Sequence, residues 1–262
     1  MVTKDESRSF LTVEYEYWES HYRFDGSSGE GSIGKNREWK WSVINSYVGN
    51  FDNVVDIGCG DLSFWEGREL SENFSYFGID ISPTIVMRNQ KRYPTWRFYV
   101  GDASVQVPDI KGRVVFCLDM LFHIMDDERY VRILENLARY SLEWIFVFTW
   151  FKNPFNLRYR LMYLKHVAWT RIVWSHKMRG RQPMLIWNAI KPARLCQDVK
   201  FLVRPTESDG VYEKYRRLED HIDTLENHGF TLVGKHQSPY SEAGAMYVFR
   251  LQSTPVALAK QC

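Results

Sequence analysis

The sequence predicts an α/β fold built on a doubly wound, mostly parallel sheet. Short apolar runs alternate with helix-like segments from residue 53 to residue 149. Two glycines follow the first of these runs, and four of the runs end in Asp or in Gly-Asp. Because the carboxyl ends of parallel strands meet at one edge of a sheet, these observations together predict a ligand crevice at that edge.

The first predicted strand, 53–57, runs into a turn that contains Gly58 and Gly60. Glycine at these positions allows a sharp turn and lets a ligand lie directly against the backbone. A dinucleotide-binding motif would require a third glycine where Ser63 stands, and the carboxylates of Asp56 and Asp61 would repel a pyrophosphate. The same carboxylates suit an ammonium or a sulfonium group.

The next three predicted strands also end in acids. The strand at 75–80 ends in Asp80, whose distance along the chain from Asp56 is close to that expected for an acid that binds ribose hydroxyls. The strand at 96–100 is followed by Asp102, and the strand at 113–119 ends in Asp119. A single Asp at such a turn is ordinary, but four in register indicate a binding site.

The remaining predicted elements complete the alternation. Helices are predicted at 36–48, 62–70, 83–92 and 127–140, and a fifth strand at 143–149. The acids 126–128 lie at the start of the last of these helices, where they suit the helix dipole. Farther along, the pattern predicts a helix at 212–228, ended by Gly229, and strands at 230–236 and 245–251.

This series of motifs resembles the class I S-adenosylmethionine (SAM)-dependent methyltransferases over roughly residues 35–150, with a looser match at 214–252. The resemblance implies a seven-stranded sheet with an antiparallel last strand, and SAM as the cofactor. It implies that the turn after the first strand holds the methionine end of SAM, that Asp80 binds the ribose and that Asp102 faces the adenine amino group. The cofactor-binding residues expected on this basis are Asp56, Gly58, Cys59, Gly60, Asp80, Ile81, Asp102, Ala103, Asp119 and Met120.

Residues 1–34 are expected to form an aromatic helix and a Gly/Ser loop in front of the core domain at 35–150. Tyr15, Trp18 and Tyr22 have i, i+3, i+7 spacing, so a helix would place them on one face, either as a lid over the cofactor or packed on the sheet. The loop 26–34 contains four glycines. It is either a flexible linker or a segment that wraps the SAM carboxylate.

The composition indicates a packed globular protein of a reducing compartment. The four cysteines are scattered without a metal-ligand pattern, so neither a disulfide framework nor a metal site is expected. The aromatic fraction of 16% predicts a core or pocket lined with rings. No signal peptide or membrane-length apolar run is visible, which makes cytoplasmic localisation the expectation.

A basic segment follows the fifth strand. Residues 151–206 contain twelve Lys or Arg residues against one acid, Asp198, so the rest of the chain is net acidic. Three interpretations remain open for the predicted insertion at 151–211: a solvated positive face, a wall that binds an anionic substrate or RNA, or a membrane-surface helix over 155–178. The chain then returns to the core at 212–262.

The methyl acceptor is expected beside the ends of the fourth and fifth strands. His123 is the candidate general base, with a packed structural histidine as the alternative. Candidate substrate-binding residues are Tyr15, Tyr22, Trp150 and Lys152. Asp119 is not followed by the Pro-Pro-aromatic sequence that accompanies base amino methylation in this family.

The favoured function is O-methylation of a glycan, a lipid-linked saccharide or a similar polar metabolite, and an anionic acceptor is expected. An RNA methyltransferase that uses the basic segment is the first alternative. A non-catalytic binding module with the same fold is the second, and a nicotinamide enzyme is disfavoured.

Overall fold

The computed structural model describes residues 4–154, 207–208 and 213–252. Within these ranges the strands are β1 (Asn53–Ile57), β2 (Ser75–Asp80), β3 (Arg97–Val100), β4 (Gly112–Leu118), β5 (Ser141–Trp150), β6 (Phe230–Gln237) and β7 (Gly244–Leu251). They form one seven-stranded sheet in the order β3-β2-β1-β4-β5-β7-β6. Strand β7 is antiparallel to both of its neighbours, and the pairs from β3 to β5 are parallel. The predicted fold class is therefore confirmed.

The described helices are α1 (Lys4–Arg23), α2 (Gly34–Tyr47), α3 (Pro83–Arg92), α4 (Asp127–Tyr140) and α5 (Ile222–Glu226). Two of them begin at strong capping signals. The Ser82 side chain accepts a hydrogen bond from the backbone N–H of Ile85, and Asp126 accepts one from the backbone N–H of Arg129. These caps satisfy N–H groups that have no partner within the helix, which fixes where α3 and α4 start.

Two hydrophobic layers cover the faces of the sheet. Val55 of β1 packs with α4, whereas the adjacent Val54 packs with α2 on the opposite face. Such burial on both faces explains why the central strands read as continuous apolar runs. The layer around α2 is rich in rings, including Trp41, Trp65 and Phe116. This confirms that much of the aromatic content forms a core.

The strands and most helices agree with the sequence predictions. All seven strands begin and end within two residues of the expected positions, and the helices at 83–92 and 127–140 match in full. The helix predicted at 36–48 begins two residues earlier and ends at Tyr47.

The helix predicted at 62–70 is wrong. Only a single 3-10 turn, Ser63–Trp65, occurs there. Leu62 and Gly67 both have positive φ angles, of 63° and 72°, which an α-helix cannot accommodate. The adjacent rings of Phe64 and Trp65 are both buried in the α2-side layer, and this packing outweighs the local helical preference.

The helix predicted at 212–228 is much shorter than expected. Helical structure begins with a 3-10 turn, Leu218–His221, and continues as α5 to Glu226. Residues 209–212 lie outside the described ranges. The Arg216 side chain donates to the carbonyls of Ile124 and Met125, so tertiary contacts determine the conformation before Leu218.

The chain divides into two compact units, Met1–Lys152 with Arg216–Cys262, and Asn153–Tyr215. Most of the predicted basic insertion, including 155–178, lies outside the described residues. Among the helices that the structure does describe, none is long and apolar enough to cross a membrane.

Candidate functional site

A cavity opens at the carboxyl ends of β1, β2 and β4 and beside the end of β3. All ten residues predicted to bind the cofactor line it, and Tyr22 and His123 line it as well. These residues lie at or just after the ends of parallel strands. One edge of the sheet therefore brings together residues that are more than sixty positions apart in sequence. The members are Asp56, Gly58, Cys59, Gly60, Asp80, Ile81, Asp102, Ala103, Asp119 and Met120.

The turn after β1 requires its glycines. Gly58 and Gly60 have φ angles of 73° and 53°, in the left-handed region that favours glycine. A Cβ on Gly58 would lie 2.7 Å from Met120 Cγ, and one on Gly60 would lie 2.1 Å from Ser28 Oγ. Larger residues at either position would therefore push the cavity walls apart.

The backbone N–H groups of this turn are already bonded within the protein. Gly58 and Cys59 donate to the Ile79 carbonyl, Gly60 donates to Asp80, and Asp61 donates to Ser28 Oγ. A pyrophosphate site would need such groups unpaired at the start of a helix, and no α-helix follows the turn. The turn therefore offers close backbone approach and nearby carboxylates, which suit a cationic group.

Asp56 lies two residues before Gly58 and is bonded to two buried aromatic side chains. Its Oδ2 atom accepts hydrogen bonds from Trp65 Nε1 and Tyr76 Oη, each at 2.8 Å. Burial is the main influence on the pKa of Asp56 and raises it to about 6.

Asp80 lies at the end of β2 and faces the cavity. Its Oδ1 accepts from the backbone N–H of Ser82 at 3.0 Å and its Oδ2 from that of Gly60 at 2.9 Å. Carboxylate oxygens have two lone pairs each, so Asp80 retains acceptor capacity for ligand hydroxyls. Burial raises the pKa of Asp80 to about 6, although these backbone hydrogen bonds oppose the shift.

Asp102 is part of a buried ion-pair network that the sequence did not reveal. Arg129 donates to both carboxylate oxygens of Asp102, and Ser104 donates to both as well. Burial raises the pKa of Asp102, but the bonds from Arg129 and Ser104 outweigh it and lower the pKa overall. Contact with an adenine amino group, as the sequence predicts for Asp102, would require one of these four bonds to open.

Arg129 connects this network to the N-terminal helix. Its Nη1 atom donates to Glu14 Oε2 at 2.7 Å, and Glu14 Oε1 accepts from the backbone N–H of Met125 at 3.0 Å. Both side chains are almost fully buried. Burial raises the pKa of Glu14 despite the adjacent guanidinium.

The face of α1 that lines the cavity differs from the predicted one. Glu14, Trp18 and Tyr22 line it, with i, i+4, i+8 spacing, whereas Tyr15 is 38% exposed and lies outside. Tyr15 is therefore not part of this cavity wall, and its assignment to the substrate site stays a prediction. The spacing of Tyr15 to Trp18 also fits one helical face. However, Glu14 is bonded to the buried Arg129, and this contact turns the face with Glu14 and Trp18 toward the cavity.

The Gly/Ser loop at 26–34 is tied to the turn after β1. Ser28 N–H donates to Asp61 Oδ2 at 3.0 Å, and Ser28 Oγ accepts from the Asp61 N–H at 2.8 Å. Ser28 and Ser32 line the cavity, so the loop forms part of its wall. That it wraps the SAM carboxylate stays a prediction.

The end of β4 carries the residues expected to act on the acceptor. His123 lines the cavity, with its ring 5.0 Å from that of Trp18 and 4.5 Å from that of Phe122. Trp150 stacks on Phe122 at 4.5 Å and is not itself in the cavity wall. Lys152 also lies outside this wall, with its ammonium group over the Phe151 ring. The structure thus brings His123 to the cavity and Trp150 next to it, but not Lys152.

A buried lysine is the second feature that the sequence did not reveal. Lys40 of α2 is 1% exposed and forms an ion pair with Asp119. It also donates to the Gly31 carbonyl at 2.9 Å and lies 4.0 Å from the centre of the Phe148 ring. Its partner Asp119 is 79 positions away in sequence, so no local pattern could have indicated the pair.

The residues present fit SAM. The glycine turn and Met120 would enclose the methionine end, Asp80 would bind the ribose hydroxyls, and Ile81 and Ala103 would line the adenine end. SAM has a sulfonium and an ammonium group, and the carboxylates around the cavity suit both. Within the described ranges, no group of three or more His, Cys, Asp or Glu residues could hold a metal ion.

The comparisons with known proteins concern the domain and the fold. Residues 54–141 match a family model described as a methyltransferase domain. None of the curated proteins compared with the chain matches it.

Solved structures with the same fold include two crystallised with S-adenosylhomocysteine (SAH). Magnesium protoporphyrin IX methyltransferase from Synechocystis PCC 6803 is 16% identical with a TM-score of 0.54, over 92% of this chain and 99% of that one. An N-methyltransferase (NodS) from Bradyrhizobium japonicum WM9 is 12% identical with a TM-score of 0.55, over 92% of this chain and 100% of that one. At these identities the likeness shows a shared fold.

Proposed function

We propose that this chain, a class I SAM-dependent methyltransferase, methylates a hydroxyl group of a glycan, a lipid-linked saccharide or a similar polar metabolite. The enzyme class and the cofactor rest on the domain match and the fold. The acceptor and its reacting atom are the proposal.

The observation that supports an oxygen acceptor is the position of His123. A hydroxyl must lose its proton during methyl transfer, and an imidazole can take that proton near neutral pH. His123 follows β4 in the cavity wall, and the edge-on ring of Trp18 and the tilted ring of Phe122 hold it on two sides. Such packing fixes the direction of the imidazole, as a base requires.

The chemistry is an in-line displacement. SAM, which the glycine turn and Asp80 would hold, would supply the methyl group. The acceptor oxygen would gain that group, the sulfur would keep the electron pair of the broken carbon–sulfur bond, and His123 would accept the hydroxyl proton. The protein therefore has to position the acceptor, exclude water and accept one proton.

Aromatic rings beside His123 support a sugar-like acceptor. Phe122 and Trp150 stack almost parallel, with an angle of 7° between their planes, and both are partly exposed. A flat aromatic surface of this kind packs against the apolar face of a sugar ring. The anionic character of the acceptor, contact with a membrane surface and RNA binding were inferred from 151–206, most of which lies outside the described residues.

The acceptor class is tested with tritiated-methyl SAM, the protein and a fractionated cell extract. We expect label in the lipid or small-molecule fraction, stable to nuclease and protease. Label that disappears on nuclease treatment would instead identify an RNA methyltransferase and reject the proposal.

The role of His123 is tested by the variant His123→Ala. We expect turnover on the labelled fraction to fall by about 100-fold, the loss typical for a general base, with SAM affinity within about threefold of wild type. His228→Ala is the matched control, since His228 is exposed and its ring bonds to the Thr224 carbonyl of its own helical turn. Turnover that survives in His123→Ala would show that His123 is structural.

A further inference from the structure

Asp119 lines the cavity, and its ion-pair partner Lys40 is buried behind it. Met120 packs on Gly58, in the turn expected to hold the methionine end, and the His123 N–H donates to the Met120 carbonyl. Asp119 directly precedes Met120. The carboxylate and the proposed base therefore belong to one short segment of the cavity wall, 119–123.

The backbone of Asp119 is held in an unusual conformation. Its φ angle is 59°, in the left-handed region that non-glycine residues seldom adopt, and its N–H donates to the Phe148 carbonyl at 3.1 Å. A Cβ on Gly31 would lie 2.5 Å from Asp119 Oδ2, so the loop packs directly on the carboxylate. Strained residues that the surrounding structure holds in place are concentrated at functional sites.

The ammonium group of Lys40 is fully used inside the protein. It bonds to Asp119 Oδ2 and the Gly31 carbonyl and faces the Phe148 ring, and the side chain is 1% exposed. Lys40 therefore cannot contact a ligand. Its effect on one must pass through Asp119.

Asp119 itself remains accessible. Its side chain is 20% exposed in the cavity wall, and within the described ranges Oδ1 makes no hydrogen bond, while Oδ2 is bound to Lys40. A buried ammonium thus fixes one oxygen, and the other is left with acceptor capacity on a side chain that lines the cavity. This arrangement is typical of an acceptor atom prepared for a ligand donor group.

We infer that Asp119 binds the methyl acceptor through a hydrogen bond to Oδ1, and that Lys40 is its positioning residue. This rests on the proposed function and narrows its substrate class. The acceptor would carry an O–H or N–H donor next to the hydroxyl that is methylated, as in a vicinal diol or an amino sugar. A phosphate or carboxylate would be repelled at this position.

The variants Asp119→Asn, Lys40→Met and the double variant test this inference. Asp119→Asn leaves the ammonium group of Lys40 buried without its charged partner, which can unfold the protein. The double variant removes both charges and therefore avoids this cost. Lys35→Met is the control, since Lys35 is exposed on the same helix. The assays are SAH binding by calorimetry, and kcat and KM for SAM in transfer of tritiated methyl to whichever extract fraction the wild-type protein labels.

We expect Asp119→Asn and Lys40→Met each to lower methyl transfer by about thirtyfold, as loss of a charge-assisted hydrogen bond would. SAH affinity and KM for SAM should stay within about threefold of the control. The double variant should transfer no more slowly than Asp119→Asn, because Lys40 acts only through Asp119.

Three results would overturn the inference. Unchanged transfer would remove Asp119 from the acceptor site. A matching loss of SAH affinity would make Asp119 a cofactor residue, as the sequence predicts, and additive losses in the double variant would give Lys40 a separate role. The proposed function fails on a different readout, the fraction in which label appears, so the two failures are distinguishable.

Discussion

Asp56 and Asp80 end neighbouring strands, yet the structure uses them differently. Asp56 is directed at the rings of Trp65 and Tyr76, which bond to it inside the α2-side layer. Within the described part of the chain, the hydrogen bonds to Asp80 come from backbone N–H groups, and Asp80 lines the cavity. The sequence predicts both as cofactor residues. It could not distinguish them, because the aromatic partners of Asp56 lie 9 and 20 positions away and no local pattern links them to it.

The assignment of Asp80 to the ribose predicts a pH dependence of SAM binding. Since burial raises its pKa to about 6, Asp80 becomes protonated as the pH falls from 7.5 to 5.5, and the neutral acid is a weaker acceptor. SAM affinity should therefore fall over that range. Asp80→Asn should weaken binding at pH 7.5 by more than about tenfold and flatten the pH profile.

Calorimetry with SAM at several pH values checks this prediction. Asp109→Asn is the control, because Asp109 is exposed and its φ angle of 59° is one that Asn also adopts. Wild-type affinity that is constant between pH 5.5 and 7.5, together with unchanged binding in Asp80→Asn, would contradict the ribose assignment.

At the scale of elements, two buried carboxylates hold α1 against the starts of α3 and α4 by hydrogen bonds. Glu14 bonds to Arg129 and to the Met125 N–H at the start of α4. Glu19 accepts from the Ser82 hydroxyl at 2.6 Å and from the Thr84 N–H and hydroxyl at 3.1 and 2.6 Å, at the start of α3. Trp18 and Tyr22 also line the cavity, so α1 forms part of its wall, and its action as a lid stays a prediction.

Removing the charge of Glu19 should weaken the attachment of α1 to the start of α3. Burial raises the pKa of Glu19, but the bonds from Ser82 and Thr84 outweigh it and lower the pKa to about 2. Glu19 therefore stays ionised from pH 5 to 8, and its stabilising effect is lost only as the pH falls from about 4.5 toward 2. Glu19→Gln should destabilise the protein by about 1–3 kcal/mol at pH 7 and speed release of SAH.

Thermal unfolding, hydrogen exchange over residues 4–23 and stopped-flow SAH dissociation measure this effect. Glu16→Gln provides the comparison, since Glu16 is exposed on the same helix. Equal exchange and equal dissociation rates in the two variants would show that Glu19 does not hold α1 against the cavity.

The elements also show which predictions a sequence can support. Strand positions and the helices α3 and α4 could be predicted because apolar periodicity and caps such as Ser82 and Asp126 are local signals. The helix at 62–70 could not be excluded, because the positive φ of Leu62 results from tertiary packing of the residues after it. Likewise, the start of α5 depends on contacts of Arg216 with residues 91 and 92 positions away.

The same limit applies to the site. The glycine turn and the acids that end the strands lie in contiguous motifs, and all of these residues line the cavity. Lys40 and Arg129 meet their partners Asp119 and Glu14 across 79 and 115 positions. A single sequence contains no signal for such pairs, so the buried ion pairs of Glu14 and Asp119 emerge only from the fold.

At the scale of the whole molecule, the charge of the cavity opposes that of the basic segment. The described cavity wall contains the acids Glu14, Asp56, Asp80, Asp102 and Asp119 and one Arg or Lys, Arg129. The basic segment 151–206 has the reverse balance. The cofactor cleft is therefore electrostatically suited to a cation, and any anionic part of the acceptor must lie away from it.

This charge predicts that the protein distinguishes SAM from SAH by electrostatics. SAM carries one more positive charge than SAH, which lacks the sulfonium, so the acidic wall should favour SAM and assist release of SAH after transfer. Salt screens such attraction, with a Debye length of about 30 Å at 0.01 M and about 3 Å at 1 M. Raising NaCl from about 0.05 to 0.5 M should therefore weaken SAM binding about two- to threefold more than SAH binding. Calorimetry with both ligands, and with neutral adenosine as the control, measures this difference, and equal salt dependence of SAM and SAH would show that the acidic wall does not discriminate between them.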